Sequence, residues 1–449
     1  MAGKIIKAPR GTQDILGTDS YKWQFVERLA LENAGLFGFS EMRTPTFEQM
    51  DLFKRSVGDT TDVVQKEMYE VRAEKGKDLY GLKPEGTAGA VRSAIENNLL
   101  KGALPLKVCY VTPCFRHERP QAGRLREFHQ FGVEMFGAQS PSADVEVICV
   151  ARELFQMIGL KQVMLNINSI GCPTCRAEYH KALTEYFRQY QDKLCTTCLE
   201  RLDKNPMRIL DCKSTVCSEI AKGAPVVLDY LCDDCKEHFE GVKKRLDALG
   251  IEYKIDPTIV RGLDYYTKTV FEFISGDLGA QATVCGGGRY DGLVKQMGGD
   301  PTPALGFAVG LERLLLIMEA QGIEIPKPET CELFIASMGE AANIKACELT
   351  NALRSEGFYA ECDLMNRSVK AQMKYANKIG AKYTMVLGES ELESGIAKLK
   401  EMETGTEREV DFRADLAQAL YDITIERATE DLAEEFGGEA LASAMGMKR

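Results

Sequence analysis

Two neighbouring stretches alternate in hydrophobicity, and much of the chain can be read around them. Phe128, Gln130, Gly132, Glu134 and Phe136 fall on one side of a period-two pattern, and His129, Phe131, Val133 and Met135 on the other. That period predicts a strand. One face is apolar; the other carries Gln130 and Glu134, about 13 Å apart along a strand. Lys107–Phe115 (KVCYVTPCF) predicts a preceding strand, and the polar loop between them, with Pro120 and Gly123, makes the pair a long-looped antiparallel hairpin. Upstream, Trp23, Val26, Leu29, Ala30 and Phe37 recur at helical spacing and predict a helix of about four turns, ended with the help of Gly35 and Gly38. Phe39–Phe47 (FSEMRTPTF) is strand-like, and Pro45 demotes it to an edge. Val147, Val150, Leu154, Met157 and Ile158 predict a helix over Ala143–Gly159, and Val163–Ile167 a strand. Val260–Phe273 reads as a turn entering a strand, Val284–Leu293 (VCGGGRYDGL) as a tight glycine turn between strand-like runs, and Ala304–Leu316 as strand, glycine, helix. Two prolines in Ile323–Thr330 mark a boundary. After it come a strand (Glu332–Ser337), a helix (341–356), a strand (Tyr359–Asp363), a helix (369–379) and a strand (Tyr383–Leu387). Two more strand-like runs and a helix ending near 424 complete an α/β domain of about 95 residues.

Composition adds constraints. A chain of 449 residues exceeds one core, and 45% hydrophobic with 27% charged residues is ordinary for globular domains. No apolar run of about 18 residues predicts a membrane span, and MAGKIIKAPRGTQDI lacks the apolar core of a secretory signal. The expectation is a cytosolic chain. A net charge of −11 argues against a nonspecific nucleic-acid coat, though local basic patches can still meet RNA. One such patch is the hairpin loop, with Arg116, Arg119, Arg124 and Arg126. Residues 170–250 look inserted and hold eight of the fifteen cysteines, in the pairs Cys172/Cys175, Cys195/Cys198, Cys212/Cys217 and Cys232/Cys235. In a cytosolic chain these read as thiols or metal ligands before disulfides. Three pairs have the C-x-x-C knuckle spacing of zinc sites. An insertion starts and ends at one place, so the outer two pairs are expected together and the inner two likewise. Reduced thiols filling core gaps in a helical module are the alternative.

Several strings carry candidate chemistry. Arginine forks suit phosphate, and Gln130 and Glu134 can accept from an amine or an imidazole N–H. Taken alone, the hairpin is equally a surface ribbon with solvated arginines. Tyr80–Ala88 offers Glu85, the backbone around Gly86 and the Thr87 hydroxyl at one point, although a Thr87 helix cap explains the same string. Arg261 with Tyr265 and Tyr266 can be a packing rim, and Arg313 a solvated residue on a core helix. Arg367, Lys370, Lys374 and Lys378 are spaced for one helix face that solvent or RNA can meet.

The hairpin string FRHERPQAGRLREFHQFGVE resembles motif 2 of the class II aminoacyl-tRNA synthetases, in the form carried by the histidyl-tRNA synthetases. Four further strings stand in that family's order: Phe39–Phe47 as motif 1, Lys83-Pro84-Glu85-Gly86-Thr87-Ala88 (many relatives have arginine at the first position), Arg261–Tyr266 (RGLDYY), and Gly306–Leu314 (GFAVGLERL) as motif 3. The resemblance spans about residues 5–424. It implies an α+β class II catalytic core, an antiparallel sheet with flanking helices, over 1–169 and 251–325. It also implies a helical Cys-rich insertion at 170–250 and an α/β anticodon-binding domain at 326–425, leaving an acidic tail at 426–449, helical or frayed, with no assigned role. The activity implied is ligation of histidine to the 3′ end of tRNA(His), with Mg2+-bound ATP as substrate, by a cytoplasmic homodimer joined through motif 1. On this resemblance Arg116 and Arg261 are catalytic at the α-phosphate. Arg116, Glu118 and Arg313 bind ATP. Glu85, Gly86, Thr87, Gln130, Glu134, Arg261, Tyr265, Tyr266 and Tyr290 line the histidine site, and Arg119, Gln121 and Arg124 approach the tRNA acceptor end. Arg367, Lys370 and Lys374 are further tRNA candidates. Zn2+ at the eight cysteines is not implied: many family members carry other residues there. A regulatory paralogue of ATP phosphoribosyltransferase shares the fold but lacks the C-terminal domain and degrades the catalytic strings, both intact here.

Overall fold

The structure is a computed structural model that describes residues 5–58, 61, 63–72, 78–277 and 283–436. It divides into two compact units, Met1–Ile325 and Pro326–Arg449.

The first unit opens with α1 (Ser20–Leu36), which stops where Gly38 takes a φ of 78°. The strand expected over Phe39–Phe47 is broken. Only β1 (Ser40–Glu41) joins the main sheet, at its edge, and Pro45, with no N–H to give a ladder, separates it from β2 (Phe47–Gln49). After α2 (Met50–Val57), strands β3 (Glu70–Arg72) and β4 (Leu79–Leu82) pair beside β2 in a small sheet, and α3 (Thr87–Glu96) follows. The hairpin is β5 (Leu106–Phe115) with β6 (Glu127–Phe136), antiparallel along its whole length. Helix α4 (Pro141–Ile158) begins on a proline, whose missing N–H is harmless there, and ends at the left-handed Gly159. Strand β7 (Val163–Ser169) leads into four helices: α5 (Pro173–Arg188), α6 (Thr196–Lys204), α7 (Thr215–Ala221) and α8 (Asp233–Ala248). The chain returns through β8 (Tyr253–Ile255), β9 (Thr267–Ser275), β10 (Thr283–Arg289), α9 (Leu293–Gln296), β11 (Ala304–Gly310) and α10 (Leu311–Ala320).

Eight strands form one sheet in the order β1-β5-β6-β11-β10-β9-β7-β8. Its interior is antiparallel, with parallel pairs only at the edges, β1 to β5 and β8 to β7. The alternation of β6 decides what each face does. Phe131, Val133 and Met135 pack against Trp23 and Val26 of α1, Val147 and Leu154 of α4, and Leu314 of α10. Gln130, Gly132 and Glu134 therefore face the opposite side. The glycine run Gly286–Gly288 is not a turn, as its sequence predicts, but the middle of β10. A Cβ on Gly286 would lie 2.3 Å from Arg261, and one on Gly287 2.4 Å from the Gly306 carbonyl. The glycines are there for close approach, which local propensity does not register.

One buried network locks this frame. Arg289, fully buried on β10, donates Nε and Nη2 to Asp144 of α4 at 2.7–2.9 Å; the Ala138 and Ser140 carbonyls also accept from it at 3.0 Å, and Asp291 at 3.3 Å. His238 of α8 reaches the same carboxylate at 3.1 Å. Burial alone would raise the Asp144 pKa, but the His238 bond and the Arg289 charge hold it below the usual carboxylate range. This contribution is present above about pH 4 and lost as pH falls through the depressed folded pKa. Asp144→Ala removes the bidentate partner of a buried guanidinium, leaving only Asp291 at 3.3 Å, and should cost about 3 kcal/mol, read as a lower urea midpoint for the first unit. A midpoint unchanged from the parent would show that the network is not structural.

The second unit alternates as its sequence predicts: β12 (Leu333–Ser337), α11 (Glu340–Ser355), β13 (Ala360–Cys362), α12 (Val369–Lys378), β14 (Tyr383–Leu387), then a short α13 (Glu389–Ser394), β15 (Ile396–Glu401) and β16 (Glu407–Asp411). The sheet order is β13-β12-β14-β15-β16. The final helix, α14 (Leu416–Phe436), passes the predicted end near 424 and takes in the start of the acidic tail; residues 437–449 lie outside the described residues.

Candidate functional site

The polar face of β6 carries one side of a cluster of buried carboxyl and tyrosine side chains. Glu134, at 1% exposure, pairs in register with Val108 on β5 and Gly306 on β11. A Cβ at Gly306 would lie 2.0 Å from the Glu134 carboxylate, so glycine there makes room for it. Tyr110 donates its hydroxyl to Glu134 at 2.8 Å, and Tyr290 donates to the other oxygen. Tyr110 lies over Gly132 and Gly86, where an added Cβ would meet its ring at 2.5 and 2.2 Å. Burial pushes the Glu134 pKa up to about 8, and the nearby Glu85 adds to the rise, against the hydroxyl donors. A ligand N–H or a cation against this carboxylate would favour its ionised form.

Glu85, also buried, belongs to the same cluster. Thr87 does not cap α3 as the sequence suggests. Gly86 is the N-cap, and the Glu85 carboxylate accepts the Thr87 and Ala88 N–H groups at 3.1 and 2.7 Å. Tyr265 donates to Glu85 at 3.3 Å. Burial raises the Glu85 pKa. Two buried carboxyls side by side are costly to ionise together, and a positively charged or donor ligand would offset that cost. Tyr265, Tyr266 and Tyr290 cluster by their rings, with centroids 4.7 Å (Tyr265–Tyr266) and 5.4 Å (Tyr265–Tyr290) apart.

Arg261 stands over the Tyr266 ring at 5.6 Å and is paired with Glu272 on β9. Its Nε is buried without a hydrogen-bond partner. That leaves one guanidinium N–H able to donate to a bound acceptor. Arg116, just beyond β5, donates Nε to the Pro84 carbonyl at 2.9 Å and lies over Phe128 at 5.2 Å, which sets it beside the Glu85 turn. Arg313, in the first turn of α10, donates to the carbonyls of Gly123 at 3.3 Å and Thr283 at 2.7 Å. Glu118 is paired with Arg124 at 3.3 Å, and Gln121 and Arg124 bridge the loop through their backbones. Arg119 is exposed at the loop surface, and Gln130 accepts from the Cys114 thiol at 3.4 Å. In the second unit Lys370, Lys374 and Lys378 share an exposed face of α12. Arg367 is not on that helix; it precedes it, stacked on Tyr375 at 4.2 Å.

The sequence reading missed Tyr110 and Glu272. Each is a lone polar position inside an apolar strand, a signal visible in KVCYV and VFEFI but ambiguous until the register is known. It also missed Glu312, which accepts the His129 N–H with both oxygens at 2.9 and 3.0 Å and so ties α10 to the loop end of the hairpin.

The histidyl-tRNA synthetase family model matches residues 11–314, and an anticodon binding domain model matches 332–420. The chain belongs to the histidyl-tRNA synthetase family. The histidine–tRNA ligase of Acetivibrio thermocellus is 55% identical over 406 residues, 90% of this chain and 97% of that protein. That of Clostridium novyi is 56% identical over 405 residues, 90% and 96%. Among solved structures, apo S. aureus histidyl-tRNA synthetase superposes with a TM-score of 0.79 at 40% identity, covering 93% of this chain and all of that one. The first of the two family models falls within the first unit and the second within the second.

Proposed function

We infer that the chain is a histidine–tRNA ligase. It activates histidine with ATP, giving histidyl-adenylate and pyrophosphate, and transfers the histidyl group to the 3′ end of tRNA(His). The observation that carries this reading is Glu134, a buried carboxylate met by two tyrosine hydroxyls. It is a pocket end built for a small donor ring. The ring N–H of histidine donates to Glu134, with Tyr266 opposite. The ammonium group lies against Glu85, Gly86, Thr87 and Gln130. Arg261 turns its unpaired Nε toward the substrate carboxylate and the α-phosphate, Arg116 takes the other side of that phosphate, and Arg313 holds the γ-phosphate, with Glu118 on the ATP side. The carboxylate oxygen attacks the α-phosphorus of Mg2+-bound ATP, and the guanidinium groups meet the charge that gathers on its oxygens. Then the terminal adenosine hydroxyl attacks the adenylate carbonyl. Arg119, Gln121 and Arg124 approach the acceptor end, and Arg367, Lys370 and Lys374 contact the RNA from the second unit. The working form is a cytoplasmic homodimer joined through the segment around β1.

Pyrophosphate exchange into ATP, run without tRNA against each amino acid in turn, tests the reading. Exchange with histidine alone is expected. No exchange with any amino acid, from folded protein, would overturn it in favour of a regulatory synthetase-like role.

A further inference from the structure

We propose that the two cysteine clusters of the insertion are Zn2+ sites, and that they fix the segments gripping the loop that carries Arg261, Tyr265 and Tyr266. Cys172, Cys175, Cys232 and Cys235 form one cluster and Cys195, Cys198, Cys212 and Cys217 the other; in each, all four sulfurs lie within 4.8 Å of one another. Separations of 3.6, 4.0 and 3.9 Å (Cys172–Cys175, Cys172–Cys232, Cys195–Cys212) match the edge of a tetrahedron of Zn–S bonds of about 2.3 Å, which is about 3.8 Å. A disulfide needs about 2.05 Å and would join sulfurs only in twos. Backbone N–H groups already point at the sulfurs: Cys232 N–H to Cys175 at 3.1 Å, Cys195 N–H to Cys217 at 3.3 Å and Ser214 N–H to Cys212 at 3.5 Å. Such donors stabilise thiolates. Loading a cluster displaces up to four protons and leaves a doubly negative tetrathiolate complex. The N-termini of α5, α6 and α8, each with a ligand cysteine at the N-cap, offset that charge.

The clusters sit where the module meets the pocket. The outer one closes the exit from β7. The Ile170 N–H donates to the Lys268 carbonyl at 2.8 Å and the Lys268 N–H to that of Gly171 at 2.9 Å. Arg176, next to Cys175, donates to the Tyr266 carbonyl at 3.2 Å. The inner cluster brackets Asn205 and Arg208, which lie between Cys198 and Cys212. Both donate to the Asp264 carboxylate at 3.2 Å, and Arg208 also to the Gly262 carbonyl. The 262–266 loop is therefore held at three points by residues whose own positions depend on the clusters. Helices as short as α6, with 9 residues, and α7, with 7, are marginal without an outside constraint, and a metal supplies it. The positioning half of this proposal rests on the assignment of the loop to histidine recognition; the metal half does not.

The test is zinc content of the full chain by mass spectrometry, together with exchange kinetics. About two zinc per chain are expected, falling to about one in Cys172→Ser/Cys232→Ser. Stripping zinc with a chelator should raise the KM for histidine about tenfold and leave the KM for ATP within about twofold. Arg208→Gln, which touches no cysteine, should raise the histidine KM in the same way while keeping both zinc ions. Content well below one zinc per chain, with no uptake when zinc is supplied, overturns the sites. Two zinc per chain with the histidine KM unmoved by chelation and by Arg208→Gln overturns the positioning role. Two zinc per chain with no exchange on any amino acid leaves the sites standing and sinks the ligase reading instead.

Discussion

Glu134→Ala should lose histidine-dependent pyrophosphate exchange by about 10⁴-fold or more, while ATP binding stays within about twofold. The size follows from how the pocket is built. A site shaped only by apolar walls separates similar ligands weakly, because a methylene is worth about 1–3 kcal/mol. A buried carboxylate that needs a donor is different: a ligand without the ring N–H leaves it unpaired, and removing the carboxylate leaves the ring unpaired. Glu134 is buried, carries hydroxyl donors on both oxygens, and faces Gly306, where no side chain competes for the space. The variant also frees the Tyr110 and Tyr290 hydroxyls, so near-ultraviolet circular dichroism should be run beside the exchange assay to confirm that the core is intact. Normal histidine activation by a folded Glu134→Ala chain would remove Glu134 from the ring end of the pocket.

The second large effect is expected at Arg261. Arg261→Gln should slow adenylate formation in a single turnover by about 10²–10³-fold, the scale for loss of one preorganised donor to developing charge. Preorganisation is visible before any substrate arrives. Glu272 and the Tyr266 ring fix the guanidinium, Gly286 gives it room, and Nε has no partner. Glutamine keeps some hydrogen bonding to Glu272 but no positive charge, so the loss should fall on the rate more than on histidine affinity. A raised histidine KM with an unchanged single-turnover rate would make Arg261 a binding group only.

Some elements were legible because their cause is local. The period-two pattern of β6 gives both its strand and its division of faces, since alternation is a property of the backbone. Helix α4, proline at its start and glycine at its end, and the strand-to-helix passage at Gly310 are fixed by neighbours in sequence. Pairing outer with outer and inner with inner cysteine pairs followed from the topology of any insertion, and the two clusters are formed that way. Other readings failed where the deciding contact was distant. Gly286–Gly288 carries a turn's composition but lies in a strand, because Arg261 and the β11 backbone occupy the space of its missing side chains. Thr87 has a cap's chemistry, but Glu85 reaches the N–H groups first.

By itself, then, the sequence determined the order of elements, the two polar positions on β6 and the family strings that give the chemistry its name. The tertiary structure decided which tyrosines reach Glu134, that Glu272 holds Arg261, and that Arg176, Asn205 and Arg208 of the insertion grip the loop at 262–266. Those pairings join residues distant in the chain. Periodicity can say which face a side chain takes, but only strand register and packing set which partner stands opposite it.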